Sequence, residues 1–293
     1  MKPWHLLVCD LDNTLYDWVA YFVPSFYAMV DETVAITGCD REKLLDDFRT
    51  VHRKHHDAEY PFALLETNTI AALFPDKSRS EIATLLDPAF HAFNSNRKEN
   101  LRLYPGVREA LDELSKSKIP LVAHTESNLY AAVDRLRRLD LMKYFKKVFC
   151  RERSAVPHPN PTVAQSWLSG FPSEKIIELA HHERKPNPQV LLEICKNEYV
   201  APSQVAYVGD SMARDMLMAR DAGVYAVWAK YGASHTTEYY RKLVRVTHWS
   251  DEDVRREAEL GARVKELRPD YVLDENFGEI LHVLLPSAVK GRA

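Results

Sequence analysis

The sequence predicts an α/β protein: a doubly wound parallel sheet with a long all-helical segment inserted after its first strand. Three observations predict it. Short apolar runs at 6–10, 120–124, 146–150, 205–209 and 224–228 are mostly separated by helical stretches, the alternation that builds a parallel sheet with helices on both faces. Across 17–101 the apolar residues recur at helical spacing, as in Leu44, Leu45, Phe48 and Val51 or Ile70, Leu73 and Phe74, with no convincing strand among them. Acidic and hydroxyl residues follow directly on several strand ends, where open α/β sheets bind ligands. At 293 residues, 46% hydrophobic and 28% charged, the chain has enough length for a core domain plus a smaller one.

The first strand, His5-Leu6-Leu7-Val8-Cys9, runs straight into Asp10-Leu11-Asp12-Asn13-Thr14. Strand side chains alternate, so carboxylates at i and i+2 are expected on one side. Like charges held that close are costly unless a cation or a shared proton offsets them. The pair points to a metal, to a nucleophile with its acid, or to both; the plainer alternative is an Asp- and Asn-rich turn. After the helical segment, Leu103-Tyr104-Pro105-Gly106-Val107 marks the return, with Pro and Gly breaking the chain before a helix from about 107.

The next strand, Ile119 to His124, ends in Thr125-Glu126-Ser127-Asn128 and delivers a hydroxyl. Beyond the strand ending at Cys150, residues 151–183 interpose about thirty residues, and Val156-Pro157-His158-Pro159-Asn160-Pro161 within them is incompatible with regular helix. Arg184-Lys185-Pro186-Asn187-Pro188 then opens a helical run, with a lysine beside a rigid turn. Gln204 to Val208 forms a strand ending in Gly209-Asp210-Ser211, with Asp215 five residues after Asp210. A second extended connection, 231–268, carries a charged helix around Asp251–Leu267; Pro269 to Leu273 reads as a late strand and 277–285 as a closing helix.

Composition narrows the function classes. A net charge of −3 and a pI near 6.5 give no electrostatic case for nucleic acid or an anionic membrane as the main partner. No apolar run approaches the roughly 20 residues that span a bilayer. Met1-Lys2-Pro3-Trp4-His5 enters the first strand at once, so no signal peptide is expected and a cytoplasmic location is. Cys9, Cys39, Cys150 and Cys195 lack metal-ligand spacing and are expected to be reduced, structural thiols, Cys9 included.

Four pieces occur in order at strand ends: Asp10-Leu11-Asp12-Asn13-Thr14, an apolar strand ending in Thr125, Lys185-Pro186, and an apolar strand ending in Gly209-Asp210-Ser211 with Asp215 beyond. This set resembles the haloacid dehalogenase-like hydrolase superfamily. The resemblance implies a Rossmann-like core at 1–16 and 102–293, with the helical segment 17–101 as a cap domain that closes over the active site. One departure is that Met218 stands where the family often has Gly before Ala219, which alters helix–sheet packing and no catalytic group.

The resemblance also implies roles. Asp10 would be the nucleophile that forms an aspartyl-phosphate. Asp12 would protonate the leaving alkoxide and later deprotonate the attacking water. Mg²⁺ would bind Asp10, the main-chain carbonyl of Asp12 and Asp210, in keeping with its oxygen preference. Thr125 and the Glu126 backbone amide would hold a phosphoryl oxygen, and Lys185 would stabilise the transferring group. Asp215 would hold Lys185 or a metal-bound water. Asp12 also separates reaction types: a halide leaves without a proton and an alkoxide needs one, so phosphoryl transfer is favoured over dehalogenation.

Substrate choice falls to the cap. Its richest run of anion-binding and ring-bearing residues is His52 to Tyr60, with Arg53, His56 and Tyr60 as the expected contacts, beside the alternative of a solvated helix end. His124, His181 and His182 show no metal spacing and are read as structural. The expected activity is Mg²⁺-dependent hydrolysis of a small phosphomonoester, by an enzyme similar to pyrimidine 5′-nucleotidases or, next, to phosphoglycolate phosphatases. A phosphomutase using the same residues, or an idle binding protein that keeps the fold, are the alternatives.

Overall fold

The computed structural model describes residues 4–60, 62–153, 173–234, 236–247 and 251–285. The proline tract 156–161 lies outside them.

Seven strands form one sheet: β1 (Leu6–Cys9), β2 (Leu121–Asn128), β3 (Phe145–Arg151), β4 (Ile176–Leu179), β5 (Val205–Gly209), β6 (Tyr225–Ala229) and β7 (Tyr271–Leu273). Their order is β4-β3-β2-β1-β5-β6-β7, and every neighbouring pair is parallel. The fully buried β1 pairs with β2 through Leu7 and Leu121 and with β5 through Leu6 and Val205. Alternation divides its side chains between two cores. Leu6 and Val8 join Val122, Tyr207, Leu191 and Leu217 on one face; Leu7 and Cys9 join Ala123, Val208, Leu111 and Leu136 on the other. The strand order reverses at β1, the position where α/β sheets open a crevice beyond their carboxyl ends.

Five α-helices lie between β1 and the return at Leu103: α1 (Trp18–Thr37), α2 (Arg41–His55), α3 (Asn68–Leu73), α4 (Arg79–Leu85) and α5 (Asp87–Asn100). Asp17 caps α1 by accepting from the Ala20 amide at 2.8 Å, and Gly38, at φ 68°, ends it. The segment enters and leaves side by side, because Tyr16 bridges Leu103 antiparallel and the Tyr104 amide donates to Leu15 at 2.9 Å. The sheet then resumes through α6 (Val107–Ser115) and α7 (Leu129–Arg138), and α8 (Pro188–Asn197) precedes β5. A π-helical turn, Met212–Met216, follows β5 and continues as α9 (Leu217–Asp221).

The extension after β6 carries α10 (Thr237–Val246) and α11 (Asp251–Arg263), and α12 (Ile280–Leu284) follows β7. α10 fastens to the inserted helices: Tyr27 donates to the Lys242 carbonyl at 3.0 Å, His52 Nδ1 to the Val246 carbonyl at 2.6 Å, and Arg245 pairs with Asp46 at 2.8 Å. Two features differ from the sequence reading. β4 lies inside the span read as an interposed connection, and β2 continues past Thr125 to Asn128, which pairs with Arg151 beyond a register shift. All four cysteines are free. No helix among the described residues is long and apolar enough to cross a membrane.

Candidate active site

Asp10 follows the central strand and is 5% exposed. Its amide donates to the Val208 carbonyl, which ties it to β5. Its Oδ1 accepts from Lys185 Nζ at 2.5 Å and its Oδ2 from Thr14 Oγ1 at 2.9 Å. Burial pushes its carboxyl up to about 7, with Lys185 opposing and the Asp215 and Asp12 charges adding to the rise.

β1 ends at Cys9, so strand alternation does not extend to Asp12. The loop positions it instead. Asn13 takes a left-handed φ of 57° and its amide returns to the Tyr16 carbonyl, while Asp12 itself bridges Tyr16. Asp12 Oδ2 accepts from Ser127 Oγ at 2.5 Å, Arg135 Nη2 at 3.3 Å and Thr125 Oγ1 at 3.4 Å. Its Oδ1 lies 3.2 Å from the same guanidinium nitrogen but accepts no hydrogen bond.

Lys185 is buried between two acids, 2.5 Å from Asp10 and 2.9 Å from Asp215. Burial alone favours its neutral amine, but the two carboxylates outweigh that and raise its pKa well above the ordinary range. Its backbone is held from both sides: the amide donates to Glu126 Oε1 at 3.1 Å, and Arg256 of α11 donates to its carbonyl at 3.2 Å. Glu126 in turn pairs with Arg214 at 3.1 Å. Although burial works to raise the Glu126 pKa, Arg214 and Lys185 bring it below the ordinary value.

Asp215 is 2% exposed and accepts from Lys185, from Tyr207 at 3.0 Å and from the Ser211 amide at 3.0 Å. Gly209 makes room for it, since a Cβ there would lie 2.5 Å from the Asp215 carboxylate. Gly232 does the same for the loop after β6, where a Cβ would lie 1.7 Å from the Asn13 carbonyl. Asp10, Asp210 and Asp215 each offer an oxygen, all within 4.8 Å of one another. Burial, then the Asp215 and Asp10 charges, push the Asp210 carboxyl well up. Three carboxylates against one lysine leave negative charge that a divalent cation would offset, and an all-oxygen donor set would suit Mg²⁺.

Asp10, Asp12, Thr125, Lys185, Asp210 and Asp215 thus converge on one crevice. The three helical-segment residues singled out from sequence lie on α2 or in the turn that follows it. Arg53 is exposed on α2. Tyr60 is buried, its ring stacked on His55 at 3.5 Å. His56 caps α2 and stands 5.1 Å from the His181 ring, and its carbonyl accepts from Arg151 at 3.0 Å. His124 is buried beside Tyr207, and burial lowers its pKa well below the usual value. Cys9 is buried with Sγ against the Asp10 carbonyl, and burial raises its thiol pKa, as befits a packing residue.

Sequence reasoning missed Arg135, Ser127, Glu59 and Arg256. One signal pointed to Arg135: with Ala132, Leu136 and Leu139 it lies at i, i+3, i+4 and i+7, on the buried stripe of α7.

A family model described as haloacid dehalogenase-like hydrolase matches residues 4–223, and a second, HAD-hydrolase-like, matches 182–275. The chain belongs to the haloacid dehalogenase-like hydrolases. Within this family it is similar to a phosphoglycolate phosphatase of Vibrio parahaemolyticus, 24% identical over 283 residues that cover 97% of each chain. It is also similar to a glyceraldehyde 3-phosphate phosphatase of Pyrococcus furiosus, 24% identical over 79% of this chain and 83% of that one. Its fold matches a 2-haloacid dehalogenase of Pseudomonas syringae with a TM-score of 0.54 at 20% identity, over 99% of this chain and all of that one. That last likeness concerns the fold alone.

Proposed function

We propose that this hydrolase is a Mg²⁺-dependent phosphatase that cleaves a small phosphomonoester through a phosphoryl group carried on Asp10. The observation that carries the reading is the pairing of a buried Asp10, gripped by Lys185 and Thr14, with an acid two residues on whose Oδ2 is held by Ser127 and Arg135.

In the first step an Asp10 oxygen attacks phosphorus, the ester P–O bond breaks, and Asp12 gives its proton to the departing alkoxide. In the second, Asp12 takes a proton from water, the water oxygen bonds to phosphorus, and the Asp10–phosphorus bond breaks. Asp12 ends protonated, as it began. Lys185 holds positive charge beside the transferring group in both steps, fixed by Asp215. Thr125 and the Glu126 amide line the oxygen side. Bound by Asp10, Asp210 and the Asp12 carbonyl, with Asp215 beside them, Mg²⁺ would offset the repulsion between carboxylate and phosphate.

The same proposal divides the chain into a core, 1–16 and 102–293, and a cap, 17–101. The paired crossings at Tyr16 and Leu103 support that division. The names of the matched relatives support short phosphorylated acids and aldehydes as substrates ahead of nucleotides. The four free cysteines and the absence of a membrane-spanning helix among the described residues fit the reading of a cytoplasmic enzyme.

The test is release of inorganic phosphate from an aryl phosphate, phosphoglycolate, glyceraldehyde 3-phosphate and a nucleoside monophosphate, with Mg²⁺ or with EDTA. Hydrolysis that needs both Mg²⁺ and Asp10, and that is fastest on the two small metabolites, is the expected result. Isomerisation of a sugar phosphate without phosphate release would overturn it in favour of a mutase, and binding without turnover in favour of an idle relative.

A further inference from the structure

Arg135 is among the largest side chains sealed in this molecule, 1% exposed, and neither step of the reaction above acts through it directly. A buried guanidinium is costly unless it is paired and its donors are satisfied. Glu59 answers most of that need, accepting from Nη1 at 2.7 and 2.8 Å, with Tyr21 at 2.5 Å and Tyr16 at 3.1 Å from Nη1 and Nε. The other arm of the fork goes elsewhere: Nη2 donates to Ser127 Oγ and to Asp12 Oδ2. Ser127 itself donates to that same Oδ2. The hydrogen bonds to the Asp12 carboxylate thus fall on Oδ2, while Oδ1, itself buried, lies 3.2 Å from the same Nη2.

We infer that Arg135 is a positioning residue for Asp12: with Ser127 it holds the carboxylate in the orientation from which it gives and takes the proton. Glu59 in turn holds Arg135 from the inserted helical segment. The strand-side anchor of that segment is Asp57, which accepts from Asn128 at 2.8 Å, pairs with Arg151 at 3.1 Å and accepts from the Glu59 amide at 2.9 Å. Orientation of the acid thus depends on residues 57–59 being seated on the core. The inference rests on the acid–base reading of Asp12.

Leaving-group dependence tests it. An alkyl alkoxide needs the proton from Asp12, whereas 2,4-dinitrophenolate leaves without one. kcat/KM is compared on an alkyl phosphomonoester and on 2,4-dinitrophenyl phosphate for wild type, Arg135→Lys, Arg135→Met, Ser127→Ala and the reference Asp12→Asn. Arg135→Lys and Arg135→Met are expected to lose about 10²-fold on the alkyl ester and only a few-fold on the aryl ester, the pattern of Asp12→Asn. Ser127→Ala is expected to show a smaller loss with the same selectivity.

Equal losses on both esters, or no loss on either, would overturn the inference and leave Arg135 as a packing residue. Thermal midpoints are measured alongside. If Arg135→Met does not fold, Arg135→Lys and Ser127→Ala decide by the same criterion. A wild-type chain that hydrolyses neither ester, or an Asp10→Asn chain that remains active, removes the phosphatase reading itself and this inference with it. That failure is told apart because it is visible before any Arg135 variant is assayed.

Discussion

Lys185 Nζ stands 2.5 Å from Asp10 Oδ1, an ammonium and a carboxylate in contact with both side chains sealed from solvent. Asp215 on the far side of the lysine, at 2.9 Å, keeps it charged and fixed in place. Replacing it leaves Asp10 and Asp215 facing each other without a cation. Lys185→Met is expected to lower kcat by about 10²–10³, or ~3–4 kcal/mol of transition-state stabilisation. A steady-state assay on a chain shown by circular dichroism to be folded checks this.

Gly209 and Asp215 are in contact in a way that excludes any side chain at 209. Asp215 has nowhere to retreat, since Tyr207, Ser211 and Lys185 all hold it. Gly209→Ala is therefore expected to cost about 1–3 kcal/mol of stability by overpacking, and to lower activity by displacing Asp215. Chemical denaturation and the phosphate-release assay measure the two effects on one protein.

Arg256 reaches from α11 to the Lys185 carbonyl, which gives the 231–268 extension a part in the site. Arg256→Ala removes one support of the lysine loop and leaves Glu126 holding the amide. A charge-assisted hydrogen bond of this kind is worth about 1.5–3 kcal/mol. Since the loop keeps its other anchor, the expected result is a fall in kcat of about tenfold, ~1.4 kcal/mol, with KM and thermal midpoint little changed.

His52 predicts an acid-sensitive joint between the inserted helices and α10. It is 1% exposed, packed between Phe26 and Phe48, and donates through Nδ1 to the Val246 carbonyl. Burial lowers its pKa; the Val246 carbonyl and Asp57 oppose the shift, and His55 adds to it. The unfolded chain, with an imidazole pKa of about 6.5, then binds the extra proton. Stability due to neutral His52 is complete above that pH and drains away below it, by at most about 1.4 kcal/mol per pH unit. His52→Asn keeps a donor near Val246 and does not titrate. The drop in unfolding free energy from pH 7.5 to 5.5 is expected to be smaller in that variant than in wild type.

The sheet and the carboxylates were legible because both follow local rules. Short apolar runs ended at the chemistry-bearing residues, and all six expected strands start within a residue or two of the observed ones. β4 was not legible: four residues at the sheet edge, with Glu178 exposed in the middle, do not make an apolar run. The sequence reading ended this strand at His124 because Thr-Glu-Ser-Asn is polar, whereas Asn128 regains pairing with Arg151 of β3. Arg135 has the spacing of the buried stripe of α7, but spacing alone does not say what a buried arginine would pair with. Its burial depends on Glu59, 76 positions away, a tertiary contact that no local pattern encodes.

The central claim is that Asp10 carries the phosphoryl group and Asp12 manages the protons. The most direct measurement is the mass of the Asp10 peptide after Asp12→Asn protein is mixed with Mg²⁺ and 2,4-dinitrophenyl phosphate and quenched in acid. That leaving group needs no proton, so phosphorylation proceeds, whereas hydrolysis stalls without its base. The account predicts one phosphoryl increment on Asp10, absent with EDTA. Turnover by the wild-type chain with no phosphoryl group on Asp10 in the variant, or with the group on another residue, would contradict it.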